Sequence, residues 1–287
     1  MTVHGSAQLA VLGAPIAHSQ SPLLHRAAYE FLGLEWTYEA AEVDESGLAE
    51  FVATRSEHWR GLSLTMPLKR TIIPLLDEVS SLVTSTGTAN TVLFDRGSAL
   101  ESQLRLRGFN TDVFGITESF RSRGITSLPL VHILGGGATA ASAIAAVAEL
   151  GARRVVVWVR NPAKAHELGE VGRAVGVDVE LAQLAGVTAS DTIPDAVIST
   201  LPQGVDAELD FSAEIRTHSV LFDVSYDPWP SPLARAWFGA NGIVVPGIDM
   251  LVNQALMQVR IFATGDPTTA LEHESTVLAR MRAAVGL

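Results

Sequence analysis

The chain has 287 residues, of which 47% are hydrophobic and 18% are charged, as is typical of a folded globular protein with one large domain or two. It has no cysteine, which excludes disulfides, cysteine-ligated metals and a thiol nucleophile. The formal net charge of −11 disfavours nucleic-acid or membrane partners, and the first residues predict no signal peptide. We therefore expect a cytoplasmic protein.

Strand-like and helix-like segments alternate along the first part of the chain. The hydrophobic pattern predicts strands over residues 8–12, 36–42, 62–65, 91–94 and 104–106, the last two as an antiparallel pair. It predicts helices over residues 22–32 and 46–54, a helical segment after Pro67, and a further helix over residues 112–123.

A second alternating block follows. Its predicted strands cover residues 130–134, 155–159, 196–199, 220–223 and 242–245. Its predicted helices cover residues 138–150, 163–175, 231–238, 250–263 and 271–285. Strands separated by helices predict parallel sheets that are covered on both faces, so the predicted fold class is α/β.

A glycine-rich turn joins a predicted strand to a predicted helix in this second block. The turn matches the pattern G-x-G-x-x-A, in which Gly135 permits the tight turn and Gly137 lets the backbone approach a pyrophosphate. Ala140 allows the helix to pack closely on the strand, and the amides at the helix start bind phosphate. A plain tight turn is the alternative, but the flanking strand and helix favour a dinucleotide site.

The end of the next strand indicates which dinucleotide binds. An NAD site carries an acidic residue there for the ribose hydroxyls, whereas this chain has Arg160, Asn161 and, four residues after Arg160, Lys164 in the predicted helix. Two cations and an amide suit a 2′-phosphate, which predicts NADP(H). Solvated surface charge is the alternative.

Lysine is rare in this chain. Of the 20 basic residues, 18 are arginine and only Lys69 and Lys164 are lysine. Chance is one explanation. The other is a site that needs lysine chemistry, because a lysine can lose its proton near neutral pH and an arginine cannot.

Three short polar segments of the first half lie at predicted junctions between elements. In the first, Pro22 fits the first position of a helix, so Ser21 is a candidate N-cap. A helix start flanked by the hydroxyls of Ser19 and Ser21 can bind a carboxylate, although Ser21 as a simple cap is an equally open interpretation.

The second and third segments add a candidate acid–base pair. Pro67 starts a helical turn, which places Lys69 where a lysine can serve as a proton donor or acceptor. Asn90 and Asp112 occupy the third segment, in the sequences A-N-T and N-T-D. Asp112 is either an N-cap of the following helix or a carboxylate that orients Lys69.

These segments, in this order, closely resemble the shikimate dehydrogenase family. The matching pieces are G-x-P-I-x-H-S-x-S-P at 13–22, L-T-M-P-x-K at 64–69, A-N-T at 89–91, N-T-D at 110–112, the glycine-rich turn, R-N-P-x-K at 160–164, D-V-S-Y-D-P at 223–228 and G-I-D-M-L-V-N-Q-A at 247–255. The resemblance covers roughly residues 9–265, and several motifs in order are far more specific than any one.

The resemblance implies two α/β domains and a reaction. Residues 1–112 are expected to form an N-terminal substrate domain, residues 113–246 an inserted Rossmann NADP-binding domain, and residues 247–287 the C-terminal helices that complete the substrate domain. The implied activity is the reversible NADPH-dependent reduction of 3-dehydroshikimate to shikimate, a step of chorismate and aromatic amino-acid biosynthesis. We expect a monomer or homodimer and no metal.

The resemblance also implies a role for each matching residue. Lys69 and Asp112 are the implied catalytic pair. The implied substrate-binding residues are Ser19, Ser21, Thr65, Lys69, Asn90, Asp112, Tyr226 and Gln254. The implied cofactor-binding residues are Gly135, Gly136, Gly137, Ala138, Thr139, Arg160, Asn161, Lys164, Thr200, Leu201, Gly247 and Met250.

Some positions depart from the family pattern, and some alternatives are open. Ser199-Thr200-Leu201 stands where many relatives have Asn-Ala-Thr, Phe109 replaces a usual tyrosine, and Ala138 replaces a usual glycine.

The alternative functions are an NAD(P)-dependent quinate/shikimate dehydrogenase, a methylene-tetrahydrofolate-type dehydrogenase, and a non-catalytic module that senses NADP or shikimate. Arg160 disfavours NAD, and the paired serines favour a small carboxylate substrate.

Overall fold

A computed structural model describes residues 5–97, 104–190, 192–202 and 209–287. The chain forms two compact units: the first ends at Thr111 and resumes at Leu251, and the second runs from Asp112 to Met250. The second unit begins one residue before the expected range 113–246 and ends four residues after it. Each unit contains a six-stranded sheet, and the α/β fold class is confirmed.

The first unit contains a mixed sheet. Its strands are β1 (Ala7–Gly13), β2 (Trp36–Glu42), β3 (Trp59–Leu64), β4 (Glu78–Val79), β5 (Thr91–Asp95) and β6 (Arg105–Phe109). They lie in the order β2-β1-β3-β5-β6-β4. β1 runs parallel to β2 and β3, whereas β5 is antiparallel to both β3 and β6, which confirms the antiparallel pair predicted around residues 91–106.

Short helices and two C-terminal helices accompany this sheet. They are α1 (Ser21–Leu32), α2 (Leu48–Ala53), α3 (Leu68–Thr71), α4 (Ser81–Thr86), the part of α10 (Gly247–Thr264) that follows Met250, and α11 (Glu274–Ala284), with a 3₁₀ turn at Ile73–Leu75. Leu24 and Ala28 of α1 are spaced by four residues and are fully buried, as expected for the inward face of an amphipathic helix. Burying one large apolar side chain contributes about 1.5–3 kcal/mol.

The second unit contains a fully parallel sheet. Its strands are β7 (Leu130–Leu134), β8 (Arg154–Val159), β9 (Asp178–Gln183), β10 (Ala196–Ser199), β11 (Val220–Asp223) and β12 (Val244–Pro246). They lie in the order β12-β11-β10-β7-β8-β9. Numbered in chain order and read from the β9 edge, this is 3-2-1-4-5-6, the strand order of the Rossmann fold, in which dinucleotides bind beyond the carboxyl end of the first strand.

Most helices of the second unit connect successive parallel strands, whereas the first precedes the sheet and the last follows it. They are α5 (Asp112–Arg121), α6 (Ala138–Glu149), α7 (Glu167–Val175), α8 (Ala213–His218) and α9 (Pro232–Gly239), with 3₁₀ turns at Pro162–Lys164 and Leu184–Ala189 and with the start of α10. α6 buries every residue from Ala140 to Val147, because its small side chains let it lie close to the sheet. Within the described ranges, no helix is long and apolar enough to cross a membrane.

Two sequence expectations need correction, and β9 is among the elements that were missed. Ser21 is the first residue of α1 rather than its N-cap, which is Gln20. The helix predicted over 163–175 is interrupted, so Lys164 lies in a 3₁₀ turn and α7 begins only at Glu167. β9 was missed, although exposed Asp178 and Glu180 alternate with half-buried Val179 and Leu181 in the period-2 pattern of a strand.

A buried histidine lies in the middle of β7. His132 is 1% exposed, and neither of its ring nitrogens has a hydrogen-bond partner among the described residues. Its ring packs edge-on against Trp158, with 5.5 Å between the ring centroids. Burial, followed by the nearby Arg154, lowers the pKa of His132 to about 4. The folded protein therefore holds this imidazole neutral.

We expect His132 to make the second unit sensitive to acid. Between pH 6.5 and 4 the unfolded chain binds a proton at this position and the folded chain does not, so the free energy of unfolding falls as the pH is lowered. Over this pH range the lowered pKa of His132 reduces the free energy of unfolding by about 3 kcal/mol. The variant His132→Leu should lose less stability over this pH range in denaturant unfolding experiments.

A matched control is His166→Gln, which removes an exposed histidine from the same unit. It should keep the pH dependence of the unsubstituted protein. Equal pH dependence in His132→Leu and in the unsubstituted protein would contradict a neutral buried imidazole.

Candidate functional site

The sheet of the first unit brings its polar segments to one edge. β1, β3 and β6 run in the same direction and β5 runs opposite to them, so the ends of the three strands and the start of β5 meet. The amide of Leu64 donates to the carbonyl oxygen of Asn90 at 2.7 Å, and the amide of Asn90 donates to the carbonyl oxygen of Phe109 at 3.0 Å. The ends of β3 and β6 therefore flank Asn90 on its two sides, and the end of β1 lies next to that of β3.

A glycine allows the first two segments to approach each other. A Cβ atom on Gly13 would lie 2.4 Å from Cγ2 of Thr65 and 2.9 Å from the carbonyl oxygen of Met66. The amide of Ala14 donates to that same carbonyl at 3.1 Å, and the amide of Thr65 donates to Leu12 at 2.9 Å. Any larger residue at position 13 would separate the serine segment from the segment of Thr65.

The two serines lie at the start of α1. The amide of Ser21 donates to the hydroxyl oxygen of Ser19 at 3.3 Å. Ser21 is 5% exposed and its hydroxyl interacts with the phenol of Tyr38, while Ser19 is partly exposed. The structure thus places the two serines of the expected carboxylate site together at a helix start with a prolyl residue in its first turn.

Lys69 lies in a single helical turn next to the Asn90 segment. The carbonyl oxygen of Thr65 accepts from the amide of Leu68 at 2.8 Å and starts α3. The carbonyl oxygen of Lys69 accepts from the amide of Ala89 at 2.8 Å, which holds the backbone of Lys69 beside the residue that precedes Asn90. Lys69 is partly buried. Asp112 opens α5, belongs to the second unit and is 3% exposed.

The side chain of Asn90 is held by several hydrogen bonds. Its Oδ1 accepts from the amide of Thr111 at 2.8 Å and from the hydroxyl of Thr91 at 2.9 Å. Its Nδ2 donates to Oγ1 of Thr111 at 2.9 Å and to Oε1 of Gln254 at 3.3 Å. The structure thus brings together Asn90 and Gln254, which lie far apart in the sequence and were both expected to bind ring hydroxyls.

Sequence reasoning missed a layer of polar residues beneath Asn90. Gln258 is 2% exposed, donates to Oγ1 of Thr91 at 3.1 Å, and accepts from the hydroxyl of Ser63 at 2.9 Å. His25 is fully buried against Gln258, and burial lowers the pKa of His25 to about 3. One signal was present in the sequence: Gln258 follows Gln254 by four residues, so both lie on the same face of α10.

The glycine-rich turn of the second unit has three glycines with three different roles. Gly135 has a φ of +104° and a Cβ there would lie 2.7 Å from Oγ1 of Thr200, so both conformation and space require glycine. A Cβ on Gly136 would lie 2.8 Å from Val159, so this glycine permits packing. Gly137 has an ordinary φ of −86° and nothing within 4 Å of its Cβ position, which leaves the start of α6 open to a ligand.

The neighbouring residues of the turn have structural tasks of their own. Ala138 and Thr139 form the first turn of α6. Thr200 donates to the carbonyl oxygen of Leu134 from its amide at 2.8 Å and from its hydroxyl at 2.9 Å, which ties the ends of β7 and β10 together. Leu201 packs against the hydrophobic core of this unit.

Arg160 follows β8 and lines a cavity of about 300 Å³. Gln183 and the apolar residues Leu184, Ala185 and Leu209 form the rest of its lining. The pocket is open to solvent, its walls are mostly apolar, and the guanidinium of Arg160 is exposed. Asn161 and Lys164 are also exposed, immediately after Arg160.

A loop after β11 carries Tyr226. Asp223 accepts from the hydroxyl of Ser231 at 2.5 Å and from the amide of Ser225 at 3.1 Å, so both ends of the loop are attached to one buried carboxylate. Burial raises the pKa of Asp223, and burial followed by Asp227 raises the pKa of Tyr226.

The start of α10 packs tightly against the same loop. A Cβ on Gly247 would lie 2.2 Å from the carbonyl oxygen of Val224, so this glycine is required by close approach of the backbone. Asp249 forms an ion pair with Arg123 at 2.5 Å, and Met250 is 8% exposed. No group of three or more histidine, aspartate or glutamate side chains in the described ranges could hold a metal ion.

Comparisons with known proteins bear on both units. The family model described as "Shikimate dehydrogenase substrate binding domain" matches residues 11–92. The NADP(+)-dependent shikimate dehydrogenase of Methanothermobacter thermautotrophicus is 30% identical over 264 residues, which are 90% of this chain and 91% of that protein. This chain belongs to the shikimate dehydrogenase family.

Solved structures agree with this family over almost the whole chain. The shikimate dehydrogenase of Mycobacterium tuberculosis has 34% sequence identity and a TM-score of 0.82, covering 96% of this chain and 99% of that one. The shikimate 5-dehydrogenase of Thermus thermophilus, solved in complex with NADP(H) and shikimate, has 30% identity and a TM-score of 0.78, covering 97% and 99%.

Some family members are much longer proteins. The chain spans only 16–18% of the fungal pentafunctional AROM polypeptides that it also matches, at 28–32% identity.

Proposed function

We propose that this protein is an NADP-dependent shikimate dehydrogenase that reversibly reduces 3-dehydroshikimate to shikimate, a step of chorismate and aromatic amino-acid biosynthesis. The observation that carries the proposal is the meeting of Asn90, Thr111 and Gln254 at the same sheet edge as the serine and Lys69 segments. Membership of the shikimate dehydrogenase family supports it. The cytoplasmic location and the monomeric or dimeric state stay predictions.

The substrate is a small ring acid with several hydroxyl groups. Ser19 and Ser21 hold its carboxylate through their hydroxyls and the start of α1. Thr65, Asn90, Asp112 and Gln254 contact the ring hydroxyls, and Tyr226 borders the ring. This division of tasks rests on the family resemblance and on the burial of Asn90 and Gln254, which are 2% and 7% exposed.

In the proposed reaction Lys69 provides the proton that the carbonyl oxygen takes up. NADPH, when bound, supplies a hydride to the carbonyl carbon. The carbonyl oxygen gains negative charge in this step, and a protonated Lys69 stabilises the charge and provides the proton. Asp112 orients Lys69 and a neighbouring hydroxyl of the substrate.

The second unit fits the cofactor. The open start of α6 at Gly137 suits a pyrophosphate, and Arg160 beside its cavity suits the 2′-phosphate of NADP(H). Gly135, Gly136, Ala138, Thr139, Thr200 and Leu201 shape the turn, Asn161 and Lys164 add polar groups near the phosphate, and Gly247 and Met250 border the nicotinamide.

The proposed function is tested by NADP+ reduction with shikimate and with quinate. We expect kcat/KM for shikimate to exceed that for quinate by at least ~10²-fold, because quinate carries an extra hydroxyl on the carbon that bears the carboxylate. Comparable values would indicate the alternative, a broad quinate/shikimate dehydrogenase. No turnover with either acid would indicate a non-catalytic sensing module.

We expect Lys69→Ala to lower kcat by ~10²–10⁴-fold, the usual contribution of general acid–base catalysis. The dissociation constant of NADPH, measured by fluorescence titration, should stay unchanged. The matched control is Arg70→Ala, which removes the adjacent exposed cation of α3 and should keep kcat within twofold. A Lys69→Ala enzyme with most of its turnover would remove Lys69 from the chemistry.

We expect Arg160→Ala to weaken NADPH by about 1.5–3 kcal/mol, the contribution of a charge-assisted hydrogen bond to phosphate. NADH, which lacks the 2′-phosphate, should be affected far less. Arg154→Ala is the matched control, because Arg154 is exposed at the opposite end of β8 and pairs with Glu180. Equal losses of NADPH and NADH affinity in Arg160→Ala would contradict this role.

A further inference from the structure

A chain of hydrogen bonds runs through the buried layer beneath Asn90. The hydroxyl of Tyr29 lies 3.0 Å from Nδ1 of His25, and Nε2 of His25 lies 3.1 Å from Oε1 of Gln258. Nε2 of Gln258 donates to Oγ1 of Thr91, whose hydroxyl lies 2.9 Å from Oδ1 of Asn90. All of these residues belong to the first unit.

We propose that Gln258 and Thr91 are positioning residues that fix the side-chain amide of Asn90 with its NH₂ group, not its oxygen, toward the substrate. The substrate oxygen at this position must therefore accept a hydrogen bond. This inference rests on the proposed function, because it concerns the same substrate site.

The orientation of the Gln258 amide follows from its backbone neighbour. One end of the amide lies 3.4 Å from the carbonyl oxygen of Asn90, and a carbonyl oxygen can only accept. That end is therefore the NH₂ group. The opposite end is Oε1, which accepts from the hydroxyl of Ser63 at 2.9 Å and from His25 at 3.1 Å.

The orientation of the Gln258 amide determines the tautomer of His25. Oε1 of Gln258 cannot donate, so Nε2 of His25 carries the proton. Nδ1 of the neutral ring is then an acceptor and receives the hydroxyl hydrogen of Tyr29. The ring is stacked on Tyr38 with 3.8 Å between centroids, and Tyr38 donates to Ser63 at 2.7 Å. Each group in the layer consequently has one orientation.

The direction of donation continues to Asn90. Oγ1 of Thr91 accepts from Gln258, so its own hydrogen points to Oδ1 of Asn90. The amide of Thr111 donates to the same Oδ1 at 2.8 Å, and a backbone amide can only donate. Two independent donors thus identify this atom as the oxygen. Nδ2 points to the side of Gln254.

The orientation of the Asn90 amide determines which kind of substrate group can bind to it. The two hydrogens of Nδ2 point to Oγ1 of Thr111 and to Oε1 of Gln254. A substrate hydroxyl that displaces Gln254 from the longer of these bonds meets an N–H donor on Asn90 and binds through an oxygen lone pair. Removing the hydroxyl of Thr91 deletes one of the donors that hold Oδ1 and leaves Gln258 without its nearest acceptor on this strand. Only Thr111 then holds Oδ1, so the side chain of Asn90 keeps its orientation less firmly and donates less well to the substrate oxygen.

The test compares Thr91→Val with Thr91→Ser in steady-state kinetics. Thr91→Val should raise KM for shikimate about tenfold, the change expected for one lost hydrogen bond, and leave KM for NADP+ within twofold. Thr91→Ser keeps the hydroxyl and should keep both constants within twofold. Thr117→Val is the matched control, because Thr117 is a fully buried threonine of the second unit whose hydroxyl donates to a backbone carbonyl. It should leave KM for shikimate unchanged.

The outcomes separate the inference from the function on which it rests. No turnover by the unsubstituted enzyme would overturn the proposed function. An active Thr91→Val enzyme with an unchanged KM for shikimate, or with equal rises in both KM values, would overturn the positioning role alone.

A second measurement does not depend on activity or on any substitution. Nitrogen-15 NMR of the unsubstituted protein should find the proton of the neutral His25 on Nε2. A proton on Nδ1 would reverse the direction of the chain and overturn the inference, also in the case that Thr91→Val does not fold.

Discussion

The backbone hydrogen bonds that join the ends of β3, β5 and β6 are the constraint on which the substrate site depends. Leu64 donates to Asn90 and Asn90 donates to Phe109, so the residue before β5 is enclosed by the two neighbouring strands. The side chain of Asn90 is hydrogen-bonded to Thr91 of β5, to the loop after β6 and to the face of α10. A site formed in this way is rigid, because its central residue is held by main-chain as well as side-chain bonds.

A buried polar group without a hydrogen bond destabilises a protein, and the polar side chains around Asn90 avoid this because they are hydrogen-bonded to one another. Gln258, Ser63, Thr91 and Asn90 are each 3% exposed or less, and an unpaired polar atom at such depth costs about 1–3 kcal/mol. Each has a partner of the opposite type, so a single arrangement of donors and acceptors satisfies them all. His132 in the second unit is the opposite case: its buried nitrogens lack partners among the described residues, and it contributes to acid sensitivity rather than to specificity.

The two units use glycine and small residues for different physical reasons. Gly13 allows two loops of the first unit to touch, and Gly135 adopts a backbone conformation that other residues rarely adopt. Gly137 meets neither condition, since its φ is ordinary and its surroundings are open. Gly137 leaves open space at the start of α6. The proposed binding of the pyrophosphate at this helix start uses that space.

The sequence by itself determined the alternation of strands and helices, the glycine-rich turn and the cation after β8, because each depends on residues that are close along the chain. It also placed Asn90 and Gln254 in one site through the family resemblance. Only the tertiary structure decided that Gln258 and Thr91 support Asn90, since hydrogen bonds across 167 or more residues leave no local pattern. The sequence predicted that β5 and β6 run antiparallel, but only the tertiary structure placed β5 beside β3, which brings the start of β5 to the ends of β3 and β6.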